Sequence, residues 1–191
     1  MQNNKPQLTP IALHTPISDE TIRTLKAGDM VSLSGTIYTA RDAAHARLME
    51  MASRNEAMPF NFQGETVFYA GPSPAKPGKP IGSVGPTTGG RMDAFSPKLI
   101  ERGLKIMIGK GSRNSEVVEA IKKHTGIYFA AVGGVAALMA RSVQSAQVIA
   151  FEELGTEAIR RLQVNNLPVI VAIDHKGNNI YETGPAEYRE D

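Results

Sequence analysis

From residue 30 to residue 38 apolar and polar positions alternate, with β-branched residues among them, and a period of two predicts a strand. The pattern then changes. Over residues 39–53 the apolar side chains Ala44, Leu48, Met51 and Ala52 fall at helical spacing, and Thr39 with Asp42 reads as a loose capping box. Upstream, Ser18-Asp19-Glu20 predicts a helix start and Ala27-Gly28-Asp29 its stop. Downstream, short apolar runs predict strands at 67–70, 104–108, 127–132 and 148–151. Helices are expected between them: one opened by Ser96 as N-cap with Pro97 in its first turn, one capped by Ser115 and running to His124, one over 135–141 and one over 155–162. Residues 169–173 and 179–181 read as a hairpin around His175-Lys176-Gly177-Asn178, and the Pro/Gly-rich residues 71–80 as a loop. Strand–helix alternation through the middle implies an α/β fold with some parallel pairing, to which the first strands and the last hairpin add mixed elements. The chain reads as a single domain, 1–191, behind a polar N-terminal arm, residues 1–17.

Composition narrows the function classes. The 191 residues are enough for one domain with a real core, and 41% hydrophobic with 21% charged residues describes a folded chain. A formal net charge of +2 with no Lys/Arg block argues against a nucleic-acid partner. There is no cysteine, so this chain offers no disulfide, no thiolate nucleophile and no thiolate ligand. His14, His45, His124 and His175 form no pair at helical spacing, and no metal site of the chain's own is expected. The most apolar stretch, 126–140, is too short to span a membrane. The polar start, with Pro6 and Pro10, matches neither a signal nor a transit peptide, and a cytoplasmic protein is expected.

Three glycine-rich places, around Thr87, Lys110 and Gly133, fall where strands exit and helices start, which is where open α/β sheets hold ligands. Arg41 opens a predicted helix, with His45 four residues on. In Gly85-Pro86-Thr87-Thr88-Gly89-Gly90-Arg91, Thr87 and Arg91 would share a face if the turn is helical, leaving Thr88 to cap it. Lys110 stands between Gly109 and Gly111, so a ligand could approach closely. Each feature has a plain alternative: solvated surface cations, a packed histidine, an ordinary loop, and close helix–strand packing at Gly133-Gly134. Taken together, three cations and a threonine pair suggest a pocket for a small polyanion, and the residues themselves name no reaction.

The blocks Thr39-Ala40-Arg41-Asp42-Ala43-Ala44-His45, Gly71-Pro72, Gly85 to Asp93, Ile108-Gly109-Lys110-Gly111 and Gly133-Gly134-Val135-Ala136-Ala137-Leu138 occur in one order. Leu154-Gly155-Thr156-Glu157-Ala158-Ile159 and Leu167-Pro168-Val169-Ile170-Val171 continue it. In that order they resemble class I fumarate hydratases: the C-terminal domain of the one-chain enzymes and the β subunit of the two-chain ones. The resemblance covers nearly all of the chain after the arm. It implies a swivelling-type layered β/β/α domain with a mixed sheet. It implies a hydro-lyase of the tricarboxylic acid cycle, reversibly hydrating fumarate to (S)-malate. It also implies a 4Fe-4S cluster ligated by a partner α subunit and not by this chain, in a heterotetramer inactive without that partner. Its open iron would act as a Lewis acid on the leaving hydroxyl. Carried over by position, Arg41, Arg91 and Lys110 would bind the carboxylates of a C4 dicarboxylate and Thr87 would be the base. No metal ligand comes from this chain. Ala40 stands where the family usually has glycine, and Gly89-Gly90 replaces a commoner Ser or Ala pair. An L-tartrate dehydratase β subunit is the related alternative; a non-catalytic carboxylate-binding module is the other.

Overall fold

The alternating segment becomes strand β2 (Met30–Thr39), which turns Val31, Leu33 and Ile37 inward. The computed structural model describes residues 9–131 and 134–186. Around β2 stand β1 (Ile11–His14), β3 (Thr66–Phe68), β4 (Ile106–Gly109), β5 (Ile127–Ala130), β6 (Val143–Ala150) and β7 (Ile159–Ile173). The helices are α1 (Asp19–Thr24), α2 (Asp42–Ser53), α3 (Ser96–Glu101), α4 (Ser115–His124), α5 (Ala136–Met139) and α6 (Ile180–Ala186).

Strands β2, β3, β4 and β5 pair in parallel in that order, and β1 joins β2 in parallel as well. The long β7 runs antiparallel to β5, β6 and β2. Because β7 pairs with both β5 and β2, five strands close into a ring. The side-chain alternation of each strand then divides the core in two. Phe68, Ile106, Ile108, Ile127 and Phe129 join Leu33, Ile37, Leu162 and Val164 in one cluster. Val67, Tyr69, Met107 and Tyr128 pack against Ala44 and Leu48 of α2, Leu99 and Ile100 of α3, and Val117 and Ile121 of α4. The result is a layered α/β fold with a mixed sheet, the class expected. Strand β4, Ile106–Gly109, sends side chains into both clusters and is buried throughout, as a parallel strand covered on both faces must be. No helix among the described residues is long and apolar enough to cross a membrane.

Several local expectations are corrected. Ile11–His14, placed in the polar arm, is a strand, because pairing with Val31–Ser34 offers its backbone a ladder. Residues 155–162 do not form a helix: a 3₁₀ segment, Glu152–Glu157, ends at Ala158 and β7 begins at Ile159, where pairing with β2 and β6 overrides local helix preference. Thr39 makes no capping box; it stays in β2, and its Oγ1 accepts the Arg160 N–H at 3.2 Å. Ser96 is not an N-cap, since it lies inside α3 with its hydroxyl donating to Met92 O. Helix α4 is capped by Asn114, not Ser115, with the Asn114 side chain accepting from Val117 N–H. The last hairpin shrinks to a bridge between Ile173 and Asn179, closed by Asp174 accepting from Lys176 and Asn178 N–H. Gly133 and the first eight residues of the arm lie outside the described residues.

Candidate active site

Parallel strands end on the same side, so β2, β3 and β4 deliver their exits to one edge. Past β2, Ala40 donates its N–H to Phe68 O at 3.2 Å, so alanine continues the strand without strain and Arg41 emerges beside β3. Past β4 comes Lys110. The Gly85–Asp93 segment is threaded alongside these exits. Thr87 N–H donates to Tyr69 O at 2.6 Å, Lys110 N–H to Thr87 O at 3.2 Å and Gly89 N–H to Lys110 O at 2.7 Å. Only after that does a 3₁₀ turn, Gly89–Met92, carry Arg91. Arg41, Thr87, Arg91 and Lys110 therefore come to one edge of the sheet.

The helical register expected for Thr87 and Arg91 is not observed. Thr87 precedes the turn, held by its neighbours' backbones, and Thr88 occupies the N-cap position without a side-chain cap bond. Thr88 is instead the parallel bridge partner of Lys110, which places those two side chains next to each other. Successive residues of extended chain face opposite ways, so Thr87, half-buried, turns from the side that Thr88 and Lys110 share.

Arg41 is the extended N-cap residue of α2. Its guanidinium passes over Gly71, where a Cβ would come within 2.8 Å of Nη1, so only glycine leaves room. Arg41 Nη2 lies 3.5 Å from Glu157 Oε1 and Nε 3.7 Å from Asp42 Oδ2. Arg91 Nε donates to Asp42 Oδ1 at 2.8 Å, so one carboxylate serves both arginines. Glu157 also accepts the Ala43 N–H at 2.8 Å, satisfying a helix-end donor that Arg41 cannot cap. The side chain of Arg91 is 53% exposed and Lys110 is exposed. An Arg91–Asp42 pair this open is worth about 0–1 kcal/mol, so it orients Arg91 without locking it against an incoming anion.

A family model described as Fumarase C-terminus matches residues 1–184. The chain belongs to that family. It is 40% identical over 154 residues to the Escherichia coli K12 protein named fumarate hydratase class I, aerobic, covering 80% of this chain and 28% of that one. Fumarate hydratase 2 of Leishmania major is 40% identical over 156 residues, covering 81% of this chain and 28% of the relative. A Methanocaldococcus jannaschii protein named for L(+)-tartrate dehydratase subunit beta is 40% identical over 172 residues, covering 87% of this chain and 88% of the relative. The chain thus spans about 28% of the length of these fumarate hydratases but most of the tartrate dehydratase subunit.

Beneath the family's signature segments lies a buried polar cluster that the sequence reading missed. Arg113 has no exposed side-chain surface. Its Nε donates to Asp93 Oδ1 at 2.6 Å and its Nη2 to Ser96 Oγ at 2.7 Å, and its guanidinium sits 5.3 Å and 4.8 Å from the ring centres of Tyr69 and Tyr128. Asp93 Oδ2 accepts the Asn114 N–H, and Tyr128 OH donates to Gly111 O. Asp93 of the Arg91-Met92-Asp93 block is thus structural: it ties the turn bearing Arg91 to the loop leaving Lys110. Burial alone would lower the Arg113 pKa, but Tyr69 and Asp93 raise it, and burial raises that of the Tyr128 phenol, keeping it a neutral donor. Nothing in Ser112-Arg113-Asn114 marks this arginine apart from other loop arginines.

His45 is buried, with Nδ1 2.8 Å from Arg41 O. Burial pushes its pKa down to about 4, against a smaller upward pull from the Arg41 carbonyl. The unfolded chain therefore binds a proton that the folded one refuses between pH 6.5 and about 4. Stability from this group is complete above pH 6.5 and is expected to fall by about 1.4 kcal/mol for each pH unit below it, to at most about 3 kcal/mol lost near pH 4. Urea titrations from pH 7.5 to 4 on wild type and His45→Leu check this. The variant should lose this part of the acid sensitivity, and equal pH slopes would refute the assignment.

Proposed function

We propose that this chain is the β subunit of a two-subunit iron-sulfur hydro-lyase that reversibly hydrates fumarate to (S)-malate, acting in the cytoplasm with a cluster-bearing α subunit. The observation that carries the reading is the convergence of Arg41, Thr87, Arg91 and Lys110 at one edge, with Arg91 and Lys110 open to solvent. A C4 dicarboxylate carries two charges, and enclosing it takes cations with directed donors. Arginines suit two-point contacts to a carboxylate and lysine a single one. Cations left open on this chain become a closed site when a partner surface covers them. Thr87 is the proposed base: as an alkoxide, with Arg41 and Arg91 as the cations at its edge, it takes the proton from the carbon next to the leaving hydroxyl and returns it in the reverse direction.

The residues present do not fit an iron-sulfur cluster. The chain has no cysteine, and among the described residues no three of His, Asp and Glu gather to hold a metal. The cluster is accordingly proposed for the partner. The experiment is co-expression with a cysteine-bearing partner, followed by anaerobic hydration of fumarate. The chain alone is expected to show neither an iron-sulfur chromophore nor turnover, and the co-purified heterotetramer both. A brown, active isolated chain overturns the proposal.

In that complex, Arg91→Ala and Lys110→Ala are each expected to lower kcat/KM by about 2–4 kcal/mol of transition-state stabilisation, roughly 30- to 1000-fold. The fold should survive, because both side chains are exposed. Steady-state kinetics with a thermal melt check this, and a wild-type kcat/KM removes the residue from the site.

One observation favours a second substrate. The tartrate dehydratase subunit is matched over 88% of its own length and the fumarate hydratase over 28%. Assaying L-tartrate dehydration beside fumarate hydration in the same preparation separates the two.

A further inference from the structure

His45 was singled out with Arg41 in the sequence, and nothing in the proposed function uses it. Arg41 O, the first carbonyl of α2, receives two donors from that one residue. The His45 backbone N–H donates at 2.8 Å and Nδ1 lies at 2.8 Å as well. A carbonyl oxygen can only accept, so the shared proton sits on Nδ1 and the ring's other nitrogen is left as an acceptor. Among the described residues nothing donates to that Nε2, although it is buried. The ring itself is wedged between two aromatics. Tyr69 meets it edge-on with ring centres 5.4 Å apart, and Phe95 lies at 5.8 Å. Tyr69 is the residue whose carbonyl holds the Thr87 N–H at 2.6 Å.

As a packing element this side chain is a poor choice. A leucine would fill comparable space without an unpaired buried nitrogen, and α2 already has its backbone bond from residue 45 to residue 41. What the imidazole adds is a second fixed donor on the carbonyl of the arginine that must point outward, from a ring that also touches the support of the threonine loop. Arg41 needs such a hold. It is an N-cap residue in extended conformation with no side-chain cap bond, and among the described residues its guanidinium is steadied only by carboxylates at 3.5 and 3.7 Å.

We propose that His45 is a positioning residue for dicarboxylate binding: through Nδ1–H on Arg41 O it fixes the direction in which the Arg41 side chain leaves α2. Through Tyr69 it keeps that arginine in register with Thr87. This rests on the reading of Arg41 as a carboxylate-binding cation.

Two measurements test it. In the full chain, a long-range ¹H–¹⁵N spectrum of the histidines reads the tautomer without any assay of activity. The proton is expected on Nδ1 at neutral pH, and a ring protonated on Nε2 overturns the proposal. In the reconstituted complex, His45→Leu and His45→Asn are compared with Arg41→Ala. The Asn amide can place a donor near the position of Nδ1; leucine cannot. His45→Leu is expected to raise the dicarboxylate KM at least about tenfold, as a small misplacement of a binding group does, with a smaller change in kcat, and His45→Asn to recover most of that loss. A merely structural role would instead lower the melting temperature and the active fraction in both variants while KM stayed at the wild-type value, and that outcome sinks the proposal. Arg41→Ala separates the two layers of the argument. If it leaves KM unchanged, the assignment of Arg41 fails and the positioning role fails with it. If it raises KM while His45→Leu does not, only the positioning role fails.

Discussion

Replacing Arg113 by leucine is expected to cost the fold about 3–5 kcal/mol, the range found when one partner of a buried ion pair is removed. Asp93 would keep its bond from Asn114 N–H but lose its counter-ion in a site where it is only 8% exposed. Ser96 Oγ would lose a charged donor, and Tyr69 and Tyr128 the cation between them. A domain of this size has only about 5–15 kcal/mol to lose, so the variant should sit near the limit of folding. Arg113→Lys should recover little, because an ammonium cannot reach Asp93 and Ser96 together while stacking on two rings. Denaturant titration of both variants decides the matter, and a loss below about 1 kcal/mol would mean that the pair is no more than a surface bridge in effect.

Valine at position 87 is expected to remove turnover. Loss of the proposed proton acceptor should lower kcat by at least about a thousandfold, roughly 4 kcal/mol, while KM or inhibitor affinity changes only a few-fold because the proposed carboxylate-binding residues Arg41, Arg91 and Lys110 remain. Thr88→Val makes the contrast. Its hydroxyl caps nothing, so stability should move by no more than about 0.5 kcal/mol. It stands beside Lys110, so any effect should fall on binding. Anaerobic kinetics with competitive-inhibitor affinities for both variants tests the pair. Should Thr88→Val be the inactive one, the base is the threonine on the lysine's side and Thr87 is support.

The sequence made the parallel strands and their glycine-rich exits legible because both are local: a buried run such as Ile106–Gly109 and the turn after it need no distant information. It also placed the proposed residues Arg41 and Lys110, which follow strand ends, whereas Thr87 and Arg91 lie in the segment threaded beside them. It misplaced what depends on pairing. Residues 159–162 have nothing against a helix until β2 and β6 offer ladders on both sides. The same holds for Ile11–His14, which is a strand only through β2. By spacing Thr87 and Arg91 share one helical face, whereas Tyr69 and Lys110 hold the backbone at Thr87 and Thr88 out of the helix, and the turn starts only at Gly89. Arg113 could not be found at all, since burial of a loop arginine is decided by Asp93 and Tyr128, twenty and fifteen residues away.

Ring closure by β7 has a consequence for synthesis on the ribosome. Met30 pairs with Ile170 and Thr39 with Arg160, so β2 is completed on one side by residues made long after it. Until then β2 and β5 present unpaired backbone edges, that of β5 in the apolar run Ile127–Ala130. Exposed strand edges of that kind recruit other chains, and non-local pairing of this separation is slow to form. A nascent chain halted before β7 would therefore be a substrate for holding chaperones, and truncations ending near residue 150 should go to the insoluble fraction even though most of the candidate site is already encoded.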